Sequence, residues 1–237
     1  MSKISDKLRA AETTIFDAII KDCDVIAAEV KKNGTVMNDI TANSTYSDEY
    51  KKELGEKYNK QASDSIIATA QDISAQFTSL GDIVHDLNTA NDILDDGRLT
   101  PALYVIKGVK ADETGKNAAE AIINQFIGDF ASLALLATTA GDQNISKIIS
   151  EHFITDIDFE AVHNDRIEGF INTINNDARA ARYQSIGVTL YSFIKYLTGL
   201  AKCFDIDLNE VVNKNADLTG YLAASQEYQM RLSMGLA

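Results

Sequence analysis

The sequence has few of the residues that interrupt helices or carry common catalytic chemistry. Its 237 residues include one proline, no tryptophan, two cysteines and three histidines. So few helix breakers predict long helices, because proline disrupts a helix interior more than any other residue. With three histidines, and neither cysteine near a plausible base in the sequence, a nucleophilic catalytic triad has no support.

Several motifs of ligand-binding proteins and enzymes are also missing. The sequence has no Gly-x-x-x-x-Gly-Lys phosphate loop, no Gly-x-Ser-x-Gly elbow and no paired Cys-x-x-Cys. Asp205, Asp207 and Asn209 begin like a calcium loop, but Glu210 stands where glycine is needed and Ala216 where the bidentate glutamate is needed. We therefore predict no catalytic, cofactor-binding or metal-binding residues.

Basic side chains are scarce relative to acidic ones. The chain carries 22 lysines and arginines against 35 aspartates and glutamates, a formal net charge of -13. Such a charge repels the phosphate backbone of nucleic acids and favours basic protein partners. We expect protein partners and no nucleic acid.

Long uninterrupted apolar runs are absent. The most hydrophobic region, residues 122–140, is interrupted by Asn124, Gln125 and Asp129. The N-terminus lacks the apolar core of a signal peptide. We expect no membrane span. Cys23 and Cys203 lie far apart among helical apolar residues, which favours two buried, reduced thiols over a disulfide and fits a reducing cytoplasm.

The most regular stretch of the chain is a series of apolar positions that alternate steps of four and three. This spacing has a 3.5-residue period, which keeps one side of a helix, here called the seam, facing a partner helix. Ser47 is placed to cap this helix, and Gly81 inside it predicts either a close approach or a break. The seam positions are Ile66, Ala70, Ile73, Phe77, Leu80, Val84, Leu87, Asn91 and Leu94.

The residues that flank the seam carry no charge, whereas a free two-stranded zipper normally has charged flanks that choose its partner. We therefore predict an all-α multi-helix bundle with one long coiled-coil-like helix, with a long exposed rod as the alternative. We predict two domains, residues 1–110, which include the long helix 47–96, and residues 111–237. Alternatively, the two parts form one continuous domain.

The same spacing occurs twice more, in a helix predicted over residues 116–140 and in residues 183–204. The second seam consists of Ala119, Ile123, Phe126, Phe130, Leu133, Ala137 and Ala140. The third seam consists of Tyr183, Ile186, Leu190, Phe193, Leu197, Leu200 and Phe204. Ser5 is placed to cap a first helix that we expect to stop at Asn33-Gly34, followed by a loop over residues 35–45. Asp158 is placed to cap a helix over residues 159–175. Three helices with one shared period are what a bundle requires.

The best candidate metal site pairs two short motifs. Asp82-x-x-His85 and Glu160-x-x-His163 place a carboxylate and an imidazole three residues apart on two predicted helices. That spacing occurs in di-iron carboxylate proteins, which add bridging carboxylates from further helices. In so acidic a chain such pairs arise readily by chance, and solvated or capping roles are the favoured interpretation.

Residues 196–212, YLTGLAKCFDIDLNEVV, look like the closing helix and turn of MazG-type all-α nucleotide pyrophosphohydrolases. The resemblance implies a magnesium-dependent hydrolase whose metal is held by a Glu-x-x-Asp pair earlier on that helix. Here the matching positions are Thr189 and Ser192, which cannot bind the ion as carboxylates do. A divergent enzyme of this kind is our alternative hypothesis.

Two other stretches carry a different resemblance. One is YSDEYKKEL at residues 46–54, followed by a helix rich in alanine and glutamine. The other combines LTPALYVI at residues 99–106 with FIGD at residues 126–129, before Leu133 and Leu136. They resemble helical proteins encoded among the head and packaging genes of phages and prophages of Gram-positive bacteria. The resemblance implies a non-enzymatic virion-assembly or structural protein, such as a scaffold or capsid accessory. Its location would be the virion or the host cytoplasm, and its partners capsid or assembly proteins and further copies of itself.

Overall fold

The computed structural model describes residues 3–89 and 97–233, without the side chains of residues 3–10, 89, 162, 163, 228, 229, 232 and 233. Every regular element in these ranges is a helix, and none of them is a strand, which confirms the predicted all-α bundle. The α-helices are α1 (Lys3–Ala42), α2 (Asp48–Thr89), α3 (Leu99–Ile106), α4 (Glu113–Ile123), α5 (Phe130–Thr139), α6 (Gln143–Ser150), α7 (Asp156–Asp158), α8 (Asn164–Arg179), α9 (Tyr183–Lys202), α10 (Leu208–Asn213) and α11 (Ala216–Ser233).

The packed residues group into two compact units, each assembled from three separate stretches. Unit 1 contains Met1–Ile15, Thr78–Asp165 and Gly199–Asp207, and unit 2 contains Phe16–Phe77, Arg166–Thr198 and Leu208–Ala237. Helices α1, α2, α8 and α9 therefore contribute residues to both units. This grouping does not test the predicted division into two domains near residue 110, which stays a prediction.

The predicted seam of α2 is buried at every position that the structure describes, from Ile66 to Leu87. Asn91 and Leu94, and the predicted helix end at residue 96, lie outside the described residues. The Ser47 hydroxyl accepts a hydrogen bond from the Tyr50 amide at 3.2 Å, as expected of an N-cap. Gly81 is a close approach and not a break, because a Cβ there would lie 3.0 Å from the Phe159 ring.

The prediction that α1 stops at Asn33-Gly34 is wrong, and so is the predicted loop over residues 35–45. Helix α1 continues to Ala42. The Asn33 side chain is buried and donates a hydrogen bond to Asn59 Oδ1 at 2.9 Å, so it acts in packing and not as a helix stop. Ile40 is buried about two turns further on. Tertiary contacts here outweigh the weak local preference for a turn.

The single helix predicted over residues 116–140 is two helices, α4 and α5. Between them Gly128 adopts a φ of 79°, which glycine tolerates without a steric penalty. Asp129 then caps α5, since its carboxylate accepts hydrogen bonds from the Ser132 amide at 3.0 Å and the Ser132 hydroxyl at 2.7 Å. The apolar spacing continues across this turn, and Phe126 and Phe130 are both buried.

The cap predicted at Asp158 is also misplaced. Helix α7 begins at Asp156, and the Thr155 hydroxyl accepts its capping hydrogen bond from the Asp158 amide at 3.1 Å. A π-helical turn, Phe159–His163, connects α7 to α8. The helix therefore starts before the predicted residue 159 and extends past residue 175 to Arg179.

Unit 1 has a core formed by helices α3 to α6. Helix α5 contacts α3 and α6, and α4 contacts α6. Its buried members include Ile106, Ile123, Phe126, Leu133, Leu136, Ile145 and Ile149. In the same unit the rings of Phe130 and Phe204 lie 5.2 Å apart. The second predicted seam therefore faces other helices.

Unit 2 has its own core, to which α1, α2, α8 and α9 contribute. The rings of Phe170 and Phe193 stack with centroids 3.9 Å apart. The third predicted seam is buried here at Ile186, Leu190, Phe193 and Leu197. Asp177 is buried and pairs with the Arg182 guanidinium at 2.6 Å. An aromatic and aliphatic interior with a paired charge is typical of a packed bundle.

Both cysteines are free, buried thiols, as predicted. Cys23 is enclosed in unit 2, and its burial raises the pKa of the thiol. Burial also raises the pKa of Cys203, in unit 1, to about 11. A thiol with a raised pKa carries little of the reactive thiolate, so both cysteines are structural in character. No helix within residues 3–89 and 97–233 is both long and apolar enough to cross a membrane.

Candidate functional site

Unit 1 contains a polar cleft of about 280 Å³, here called the His85 cleft. The last part of α2 lines it with Asp82 and His85, which lie nearly one turn apart and so share a face. Asp156 of α7 and Glu160 of the π-helical turn line it from the other side. The sequence motifs on α2 and after α7 thus meet in one place.

The geometry of this cleft depends on a pair of residues 71 positions apart. His85 Nδ1 lies 3.0 Å from Asp156 Oδ2. Beside it the Asn88 amide donates hydrogen bonds to the carbonyl oxygens of Val84 and Ile154, both at 2.9 Å. These contacts hold the segment before α7 against α2, within unit 1.

Asp156 has a second oxygen with a different environment. Its Oδ1 atom is buried, and no described residue gives it a hydrogen bond. One carboxylate oxygen therefore pairs with His85, while the other faces the protein interior.

The predicted metal motifs are brought together in part. Asp82, His85 and Glu160 line the same cleft, whereas the side chain of His163 lies outside the described residues. Among the residues whose side chains are described, no three of the His, Cys, Asp and Glu type are arranged to hold a metal ion. The spacing of the two motifs indicated that they lie close together. Their described side chains do not converge on a point where a metal ion could bind.

The positions that match the MazG-type metal motif lie elsewhere, in unit 2. The Thr189 and Ser192 hydroxyls each donate to a carbonyl of their own helix, at 3.0 Å to Ser185 and Val188 respectively. Both residues line a second cleft, between α8 and α9, whose lining contains no carboxylate. A magnesium ion held by carboxylates has no ligands among these lining residues.

Sequence reasoning missed two features of these clefts. Asp156 was not linked to His85, because nothing local relates residues 71 positions apart. Arg166 was also missed, although it lies in the second cleft with its guanidinium 5.2 Å from the Tyr196 ring centroid. An isolated basic residue in an acidic chain was the only available signal for it.

Comparisons with family models, with curated proteins and with solved structures found no match to this chain. The two resemblances noted from the sequence therefore stay predictions.

Proposed function

We propose that this chain is a non-enzymatic phage protein of virion assembly or of the particle itself, a scaffold or capsid accessory that acts through helical surfaces. The resemblance of residues 46–54, 99–106 and 126–129 to helical proteins of phage head and packaging genes suggests the setting. The all-α bundle with helices of 40 and 42 residues fits that setting.

The observation that carries the proposal is the outward face of α3. This helix buries Leu99, Ala102 and Ile106 in unit 1. Its other side exposes Tyr104 at 85% and Val105 at 50%, and none of its eight residues is charged. Large apolar side chains side by side on a charge-free helix face are a feature of surfaces that bind other proteins.

The partner that we propose for this surface is a capsid or assembly protein with an apolar patch. The formal charge of -13 favours association with basic surfaces, chiefly by speeding the encounter. The apolar face of α3 would then supply the contact that holds the complex, since aromatic anchors dominate interface energies. Self-association through the same face is part of the proposal.

Co-sedimentation with the coat protein encoded beside this chain, together with the mass of the purified chain in solution, tests the proposal. We expect an oligomer that sediments with coat protein or procapsids. A Tyr104→Ser/Val105→Ser variant should bind at least about tenfold more weakly, because truncating a central aromatic anchor typically costs about 2 kcal/mol or more.

The matched control is Tyr58→Ser/Val25→Ser, which changes the same two residue types at sites 36% and 42% exposed in unit 2. It should sediment with coat protein as the unaltered chain does. A strictly monomeric chain that never associates with capsid or procapsid proteins would contradict the proposal. The pyrophosphohydrolase alternative stays a prediction, to be revived by turnover of any nucleoside triphosphate with magnesium or manganese.

A further inference from the structure

The cleft between α8 and α9, here called the Arg166 cleft, has the size and lining of a small-molecule site. It lies within unit 2 and has a volume of about 290 Å³. This volume is near the lower end of the range for ligand pockets, roughly 300–1,000 Å³. The lining is mainly apolar, with a few polar groups at defined places, which is the usual composition of such pockets.

The apolar part of the cleft is formed by two stacked rings. Phe170 of α8 and Phe193 of α9 lie with ring centroids 3.9 Å apart and planes 14° from parallel. Val188 adds an aliphatic wall beside them. Both phenylalanines are almost fully buried, which holds the two rings in place, and only the small part of each ring that lines the cleft is open to a ligand.

A single cation lies at the cleft. The Arg166 guanidinium is placed over the Tyr196 ring, 5.2 Å from its centroid. Among the described side chains, no carboxylate lies within 4.0 Å of it, and no acidic residue lines the cleft. A guanidinium without a carboxylate partner can bind a carboxylate or phosphate through two parallel hydrogen bonds.

Three hydroxyl groups complete the polar lining. The hydroxyls of Thr173, Thr189 and Ser192 donate to carbonyl oxygens four residues earlier on their own helices, at 2.8–3.0 Å. Each hydroxyl has thereby used its one donor, while its oxygen can still accept a hydrogen bond. The polar lining of the cleft therefore combines one guanidinium with hydroxyl oxygens that can accept a hydrogen bond.

Gly169 keeps the cleft open. It lies inside α8, where glycine is less favourable than any other residue except proline. A Cβ built there meets no atom within 4 Å, so neither close packing nor a positive φ requires glycine at this position. Its effect is to leave space at the wall of the cleft.

From these contacts we infer that the Arg166 cleft binds a small organic anion, a carboxylate or phosphate group carried on a compact aromatic or apolar body. The anionic end pairs with Arg166, and the body packs on Phe170 and Phe193. The inference is independent of the proposed function, because it concerns a small ligand in unit 2 and the proposed partner surface is on α3 in unit 1.

Heteronuclear NMR titration of the full chain tests the site with four probes: phenyl phosphate, phenylacetate, benzyl alcohol and inorganic phosphate. The two aromatic anions should shift amide resonances of residues 166–173 and 188–196 saturably. Benzyl alcohol lacks the charge, and inorganic phosphate lacks the ring. Each should bind at least about tenfold more weakly than the aromatic anions, which is the difference expected for one charged hydrogen-bonded group or one ring contact. This comparison needs no variant.

Two variants locate the site. Arg166→Gln should weaken phenyl phosphate binding about tenfold or more. Gly169→Leu should abolish binding, because it fills the open wall without a clash. Gly220→Leu is the matched control, since Gly220 is also helical, in unit 2 and free of neighbours within 4 Å, and it should bind as the unaltered chain does. Circular dichroism confirms that each variant is folded.

Four results would overturn the inference. They are the absence of saturable shifts for both aromatic anions, equal affinity for benzyl alcohol, equal affinity for inorganic phosphate, and unchanged binding by Gly169→Leu. Equal affinity for inorganic phosphate would mean that the guanidinium alone accounts for binding. Equal affinity for benzyl alcohol would mean that the apolar lining alone accounts for it.

Discussion

Replacing Leu133 by alanine is expected to lower the free energy of unfolding by about 2–5 kcal/mol, whereas replacing Leu135 should lower it by no more than about 1 kcal/mol. The two leucines are two residues apart on α5, so the change in helix propensity is the same. Leu133 is 0% exposed in the core of unit 1, and Leu135 is 42% exposed. Only the first substitution leaves a cavity.

Denaturant unfolding followed by far-ultraviolet circular dichroism measures both changes under one set of conditions. Their difference isolates burial, because side-chain type, helix and local sequence are shared. Equal losses for the two variants, or a larger loss at Leu135, would mean that α5 faces the core with a different side. The assignment of the second seam would then be wrong.

Replacing Gly115 by alanine should destabilise the protein by about 2 kcal/mol, although alanine is the better helix former by about 1 kcal/mol. Gly115 lies in the first turn of α4, and its amide donates to the capping carboxylate of Asp112 at 2.7 Å. A Cβ at this position would lie 1.8 Å from the Lys110 carbonyl oxygen. Backbone atoms cannot move away from such a clash without shifting the loop before α4.

The same substitution at Gly220 is expected to have the opposite sign. Gly220 lies inside α11 with nothing within 4 Å of its Cβ position, so alanine should stabilise by about 0.5–1 kcal/mol. Thermal and denaturant unfolding of both variants provide the measurement. If Gly115→Ala were as stable as Gly220→Ala, the close approach between α4 and residue 110 would be disproved.

The burial pattern could be predicted from the sequence because it depends on a period that local chain geometry determines. A helix that repeats apolar residues every 3.5 positions keeps them on one side, whatever it packs against. The seam positions are therefore buried as expected, from Ile66 to Leu87 in α2, at Phe130 and Leu133 in α5, and from Ile186 to Leu197 in α9. The spacing does not show whether the helix itself is continuous.

The helix boundaries that were missed are those that local side chains or distant packing decide. Asn33-Gly34 has the composition of a helix stop, but the hydrogen bond from Asn33 to Asn59 makes it part of a helix interface. Conversely, the turn at Gly128 separates two helices although the apolar spacing continues on both sides of it. In the sequence Asp129 is a polar residue within a hydrophobic segment, and in the structure it is the N-cap of α5.

The candidate sites were less accessible to sequence reasoning than the fold. Asp82 and His85 could be grouped because they share one helix face, and Glu160 was paired with them from its spacing alone. The partner of His85 is Asp156, which tertiary packing supplies. The Arg166 cleft likewise combines residues from two helices, and neither helix carries a motif that identifies it.

The recurring 3.5-residue spacing marks side chains that are buried between helices of this one chain. Fluorine NMR with a fluorinated aromatic residue placed singly at Phe77, Phe130, Phe193 or Tyr104 tests it, using a soluble gadolinium chelate that broadens exposed nuclei. The first three positions are buried, while Tyr104 is exposed. We predict narrow, unaffected resonances at the three phenylalanines and strong broadening at Tyr104; broadening at the phenylalanines equal to that at Tyr104 would contradict the claim.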